Sequence, residues 1–143
     1  EEEARKTAQM VALSAMKYGD LSNQAAKDYV FDVERFISFE GNTGPYNLYT
    51  IVRIKSILQN TQKVEKMRAK CKMKSLRTQS EKALMLEVAK FNNVIETAFE
   101  ELAPHKICAY IYDLSNAFNR FYHETKILRR KTKKEKQGLS HCY

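Results

Sequence analysis

Apolar positions recur at helical spacing along most of the chain. Ile107, Tyr110, Ile111, Leu114, Ala117, Phe118 and Phe121 follow one another at steps of three and four. That amphipathic face predicts a helix over 104–124 with Pro104 at its first position, where a missing N–H costs little. Upstream, Leu84, Val88, Phe91, Ile95, Phe99 and Leu102 form a second stripe. Thr78-Gln79-Ser80-Glu81 has the form of a capping box and opens this helix, which is predicted to run to about Leu102. Asn92-Asn93 marks either a kink or a break into two helices. Met10, Val11, Leu13 and Met16, interleaved with Ala4, Ala8, Ala12 and Ala15, predict a first helix over 3–18, with Gly19 as the residue that ends it. Asp32 caps a short helix over about 32–38 that is expected to bury Phe36 and Ile37. Between these, Asp28 and Asp32 flank Tyr29 and Phe31, an aromatic pair expected to anchor an irregular connection in the core. No stretch alternates with period two for long enough to make a strand.

The densest pattern lies in Gly41–Leu58, GNTGPYNLYTIVRIKSIL. Asn42 and Thr43 are both able N-caps, and Gly44 and Pro45 fall in the first turn. Nothing then interrupts the helix until Asn60. Leu48, Ile51, Val52, Ile54 and Leu58 cover much of its circumference, which predicts a central helix packed on several sides. Tyr46, Tyr49 and Arg53 fall within a sector of roughly 60° at 100° per residue. Tyr49 and Arg53 are i,i+4 neighbours, so a phenol ring and a guanidinium can form one surface. Residues 60–79 lack clean periodicity and read either as an extension of this helix or as a basic loop.

These elements sum to an all-α bundle of about five helices, within reach of one domain at 143 residues. Four glycines and two prolines favour long helices over many-turned β structure. No apolar run approaches the ~18 residues of a membrane span, so no membrane partner is expected. Cys71, Cys108 and Cys142 are odd in number and far apart, which reads as unpaired thiols in a reducing, cytoplasmic setting. No CxxC or HxxxH spacing suggests a metal. The net charge of +8 is uneven: residues 60–79 and 125–143 carry +6 each and the remainder −4. Two basic segments on a mildly acidic body attract polyanions, RNA first among them, although lysine runs also serve merely to solvate a loop and a tail. The chain opens with EEE rather than Met and shows no signal peptide, which reads as a piece of a longer protein.

No P-loop, GxGxxG, GxSxG or paired-carboxylate spacing is present, and His105 and His123 read as surface residues. The chemistry on offer is recognition. Loop nucleotides are read by splaying bases out, stacking them on aromatic or guanidinium planes and bonding their edges.

Taken together, EGNTGPYNLYTIVRIKSIL, the preceding KYGDLSNQAAKDYVFD and the following FEELAPHKICAYIYDLSNAFNRFYHETKIL closely resemble the C-terminal, DALR-type anticodon-binding helical domain of arginyl-tRNA synthetase, a class I aminoacyl-tRNA synthetase. The resemblance covers about Ala4 to Leu128. It implies a domain over 1–128 followed by a basic tail over 129–143, disordered or aberrant. It also implies that the fragment is not itself catalytic, since the HIGH-type and KMSK-type ATP-binding motifs are absent. The parent would use ATP and Mg²⁺ upstream of Glu1 to join L-arginine to tRNA-Arg. The fragment would need no cofactor, and its partners would be the tRNA-Arg anticodon loop and the upstream catalytic domain. In the family, anticodon contacts come from a Tyr and an Arg four apart on the central helix, from a Tyr late in the penultimate helix and from the extreme C-terminus. The first pair matches Tyr49 and Arg53, and the third residue matches Tyr122. Tyr46 and Asn119 are weaker candidates, Tyr46 because it can simply anchor the helix start. Tyr110 and Phe118 are expected in the core.

Three departures qualify the match. Ala25 stands where the family has Arg in its LSxxR pattern, and Val33 where it often has Trp. RRKTKKEKQGLSHCY has almost no apolar stripe where the family continues into a long amphipathic helix. Without that final helix, apolar surface is exposed and the fragment is expected to self-associate or pack loosely. Two other readings stand beside this one: a helical RNA- or protein-interaction module without sequence choice, and a purely structural bundle in which Tyr49 and Arg53 are paired away.

Overall fold

Six helices make up the regular structure of residues 1–65 and 78–125, the parts of the chain that the computed structural model describes. They are α1 (Glu2–Leu21), α2 (Val33–Ile37), α3 (Gly44–Glu65), α4 (Gln79–Ala89), α5 (Phe91–Glu100) and α6 (Pro104–Thr125). With α2 little more than a turn, the bundle rests on five longer helices, and no strand occurs among the described residues. The fold class is therefore the all-α one expected. The basic tail over 129–143 and any final helix lie outside the described residues, as does most of the basic 60–79 segment, whose first residues continue α3 as far as Glu65.

Local signals set most of the boundaries. Thr78 Oγ1 accepts from the Glu81 amide, and the Glu81 carboxylate accepts from the Thr78 amide, both at 3.2 Å, completing the capping box. Asp32 caps α2 through the Arg35 amide at 3.1 Å. Thr43, rather than Asn42, caps α3, accepting from the Tyr46 amide at 3.3 Å. The stop of α5 is less ordinary. Ala103 N–H bonds the Ala98 carbonyl at 2.8 Å and Leu102 N–H bonds the Phe99 carbonyl at 3.2 Å. These are the two bonds of a Schellman motif, with Leu102 at φ 50° where glycine is usual.

Several expectations change in three dimensions. Gly19 does not end α1; it lies buried inside it, and a Cβ there would come within 2.7 Å of the Phe36 ring. The break between α4 and α5 falls at Lys90, leaving Asn92-Asn93 inside α5. Tyr29 and Phe31 pack on Phe36 but stay about half exposed, as does Ile37, so this connection lies along the surface rather than in the core. The hub is α6, which packs against α1, α3, α4 and α5, whereas α3 meets α1, α2 and α6.

The packing surface of α3 also differs from its apolar pattern. Gly44, Pro45, Asn47 and Thr50 are buried, while Ile51, Leu58 and especially Val52, 62% exposed, face out. Small residues explain this. A Cβ on Gly44 would strike the backbone carbonyl of Ser14, so α1 and α3 approach backbone to backbone at this point. The rest of the core is similarly small: Ala15, Ala98, Ala103, Cys108 and Ser115 are buried, with Tyr110 the one large side chain among them.

Candidate nucleic-acid interface

The side chains that sequence singled out on α3 and α6 meet on one face. The Arg53 guanidinium lies 4.7 Å from the Tyr49 ring centroid and 4.9 Å from that of Tyr122. Two π faces attract the cation from either residue, one on its own helix and one from α6. Arg53 donates from Nη2 to the Tyr49 hydroxyl at 3.0 Å and from Nη1 to Asn119 Oδ1 at 2.5 Å. Asn119 in turn donates from Nδ2 to the Tyr46 hydroxyl and to Thr50 Oγ1, each at 3.0 Å. All five candidate residues, Tyr46, Tyr49, Arg53, Asn119 and Tyr122, thus belong to one connected cluster.

The spacing that produces this is readable on each helix. Tyr46, Thr50 and Arg53 climb one face of α3 in steps of four and three, and Tyr112, Asn116, Asn119 and Tyr122 climb the facing side of α6. The Tyr46 hydroxyl donates to Asn116 Oδ1 at 2.6 Å, and its ring meets that of Tyr112 edge-on at 5.7 Å. Phe118 stacks behind Tyr122 with centroids 6.3 Å apart. Sequence reading passed over Thr50, Tyr112 and Asn116. Their position on the facing strips was the available signal, but only the pairing of α3 with α6 gives it meaning.

Exposure grades across the cluster. Thr50 is 2% exposed and closes the inner end, Arg53 and Tyr122 are half-buried, and Tyr49 is 50% exposed at the outer edge. Among the described residues, no carboxylate pairs with Arg53. Arg120 one turn below Glu124 is held by it at 2.9 Å, and that bond keeps the Glu124 carboxyl below its ordinary range. The local positive charge therefore resides on a planar group with two of its five N–H donors committed among the described residues. A planar cation flanked by rings, half open to water, suits a flat, hydrogen-bonding, negatively charged ligand.

Other features of the described residues do not compete. Two cavities among the described residues, about 300 Å³ between α4, α5 and α6 and about 340 Å³ beside Tyr18, Tyr29 and Phe36, contain none of these side chains. No group of three or more His, Cys, Asp and Glu is placed to hold a metal among the described residues, and no described helix is long and apolar enough to cross a membrane. Cys108 is free and buried, and burial pushes its thiol pKa up, away from reactivity. His123 is exposed as expected, with its ring edge-on to Tyr122 at 5.7 Å, whereas His105 is partly buried rather than at the surface, and its Nδ1 has no hydrogen-bond partner among the described residues.

Comparison with known proteins supplies the lineage. The family model described as the DALR anticodon binding domain matches residues 47–142. The chain belongs to the DALR anticodon-binding domain family. This DALR domain is 62% identical over 130 residues to the arginine–tRNA ligase of Agathobacter rectalis, covering 90% of the chain and 22% of the relative. It is 53% identical over 126 residues to that of Alkaliphilus oremlandii, covering 88% and 21%. Among solved structures, arginyl-tRNA synthetase from Thermus thermophilus superposes with a TM-score of 0.70 at 32% identity, over 82% of this chain and 19% of that one. The Plasmodium falciparum enzyme gives 0.70 at 28% identity, over 85% and 22%. The DALR domain spans about a fifth of the length of the curated relatives it matches. The resemblance to arginyl-tRNA synthetase drawn from the sequence is upheld.

Proposed function

We propose that this DALR domain is the anticodon-binding part of an arginine–tRNA ligase and that Tyr49, Arg53 and Tyr122 receive an unstacked base of the tRNA-Arg anticodon loop. The observation that carries the reading is the guanidinium held 4.7 and 4.9 Å from two tyrosine rings at a half-open edge, with no carboxylate partner among the described residues. A base can stack on the outer tyrosine face while Arg53 offers its remaining donors to base acceptors or phosphate. The parent would convert ATP, L-arginine and tRNA-Arg to arginyl-tRNA, AMP and diphosphate in the cytoplasm. ATP and Mg²⁺ would bind its upstream catalytic domain, and this domain would bind neither. Its own task is to tell one anticodon loop from another.

The test is binding of tRNA-Arg against the same tRNA with its central anticodon base changed. Discrimination between the two supports the reading. Equal binding that weakens with salt returns the domain to a module without sequence choice, and no binding makes it a structural bundle. Tyr49→Ala is expected to reduce the discrimination by about 1–3 kcal/mol, the contribution of one base–aromatic stack. The domain's other partners in this reading are the upstream catalytic domain and, for the domain alone, a second copy drawn to exposed apolar side chains such as Phe99 and Leu102, 79% and 81% exposed.

A further inference from the structure

We propose that Asn119 is a positioning residue that sets the plane of Arg53 and does not itself contact RNA; this rests on the reading of Arg53 given above. The argument is a count of hydrogen-bonding groups. Asn119 Oδ1 accepts from Arg53 Nη1 at 2.5 Å. Its amide nitrogen donates to both the Tyr46 hydroxyl and Thr50 Oγ1 at 3.0 Å. Both protons of the amide are spent, and its carbonyl is turned toward the guanidinium.

The two hydroxyls that hold the amide are themselves constrained. Thr50 Oγ1 donates back to the Tyr46 carbonyl at 3.2 Å, and the Tyr46 hydroxyl donates to Asn116 Oδ1 at 2.6 Å. With their protons sent elsewhere, both hydroxyls present lone pairs to Asn119. The Asn119 amide can therefore sit in one orientation only. A flip would set its NH₂ against the N–H groups of Arg53 and its carbonyl against two acceptors. The relay begins at Thr50, which is buried between α3 and α6, and ends at Arg53 between the two rings. Asn119 has no donor left for a base edge. What it controls is the direction in which the three N–H donors of Arg53 that have no partner among the described residues leave the cluster.

The experiment measures the ratio of Kd values for a tRNA-Arg anticodon stem-loop and its central-base variant, using Arg53→Ala, Asn119→Ala and the double variant. Arg53→Ala is expected to lower the ratio at least as far as Asn119→Ala does, leaving the discrimination that stacking on Tyr49 supplies. Asn119→Ala should lower it by about 10-fold, the size of one charge-assisted bond. In the Arg53→Ala background, Asn119→Ala should change nothing further. Additive losses would mean that Asn119 touches the RNA itself, and an unchanged ratio in Asn119→Ala would mean that it sets nothing; either overturns the proposal. An Arg53→Ala variant that discriminates normally removes the functional reading and this one together, so the two failures are distinguishable. Should Asn119→Ala not fold, Thr50→Val decides. It keeps the Arg53–Asn119 bond, removes one orienting acceptor, and should lower the ratio only when Arg53 is present.

Discussion

The tyrosines of this domain divide by where their hydroxyls go. Tyr49 and Tyr122 lend rings to a cation at the surface, whereas Tyr18 and Tyr110 tie helices together inside. Tyr110 donates to the Glu87 carbonyl at 3.0 Å and so fastens α6 to α4. The Tyr18 proton is shared between Asn42 Oδ1 at 2.6 Å and the Cys108 carbonyl at 2.8 Å, joining α1 to the start of α3 and to α6. Burial pushes the Tyr18 pKa up to about 12, because the anion would forfeit its hydration. Between the ordinary value of 10.0 and about 12, the unfolded chain releases this proton and the folded chain retains it. The stability linked to the neutral hydroxyl is complete below pH 10 and is lost as pH rises through that window. Urea midpoints measured from pH 9 to 12 should therefore fall more steeply for the parent chain than for Tyr18→Phe. Parallel curves would mean that this hydroxyl titrates as it does in water.

At the level of the elements, two backbone sites make opposite predictions for substitutions to and from glycine. Leu102 closes α5 in the left-handed region, which costs an L-residue of this kind about 1 kcal/mol, and its side chain is 81% exposed. Leu102→Gly should raise stability by about 1 kcal/mol, read from the urea midpoint; a loss would show that the Leu side chain is held by something it packs on. Gly44 lies where α1 and α3 touch through their backbones, and Gly44→Ala should cost about 1–3 kcal/mol by overpacking. These sites also show what could be read in advance. The capping box at Thr78, the Asp32 cap and Pro104 at the head of α6 are local, decided within four residues, and were legible in sequence. So was the strip of Tyr46, Tyr49 and Arg53, because it needs only the helical period. What was not legible depends on a second helix. Gly19 looks like a terminator until Phe36 is set against it, and Ile51, Val52 and Leu58 look like a core until Gly44 brings α1 onto another side of α3. The relay through Thr50, Asn116 and Asn119 required knowing that α3 faces α6.

For the molecule as a whole, most of the apolar residues that sequence reading assigned to one stripe of a single helix end on the outside, Leu84 being the partly buried one. Val88, Phe91, Phe99 and Leu102 are each at least half exposed, Phe99 to 79%, and among the described residues no helix covers that side of α5. The residues buried from these two helices are Ser80 and Ala98, so the bundle closes on small side chains and leaves the large ones free. Large apolar side chains exposed in this way are costly in water and favour association. For the domain alone in solution, the association expected is with a second copy. Sedimentation of the domain should then show association that strengthens with concentration. Phe99→Lys should weaken it: the charge lies in the last turn of α5, where a cation suits the helix dipole, and it removes a ring that contributes little to the fold. The same variant should keep its far-UV circular dichroism and its discrimination between anticodon loops, since Phe99 belongs to α5 and the Tyr49–Arg53–Tyr122 cluster to α3 and α6. A domain that sediments as one compact body at every concentration would instead mean that this face is satisfied from within its own chain.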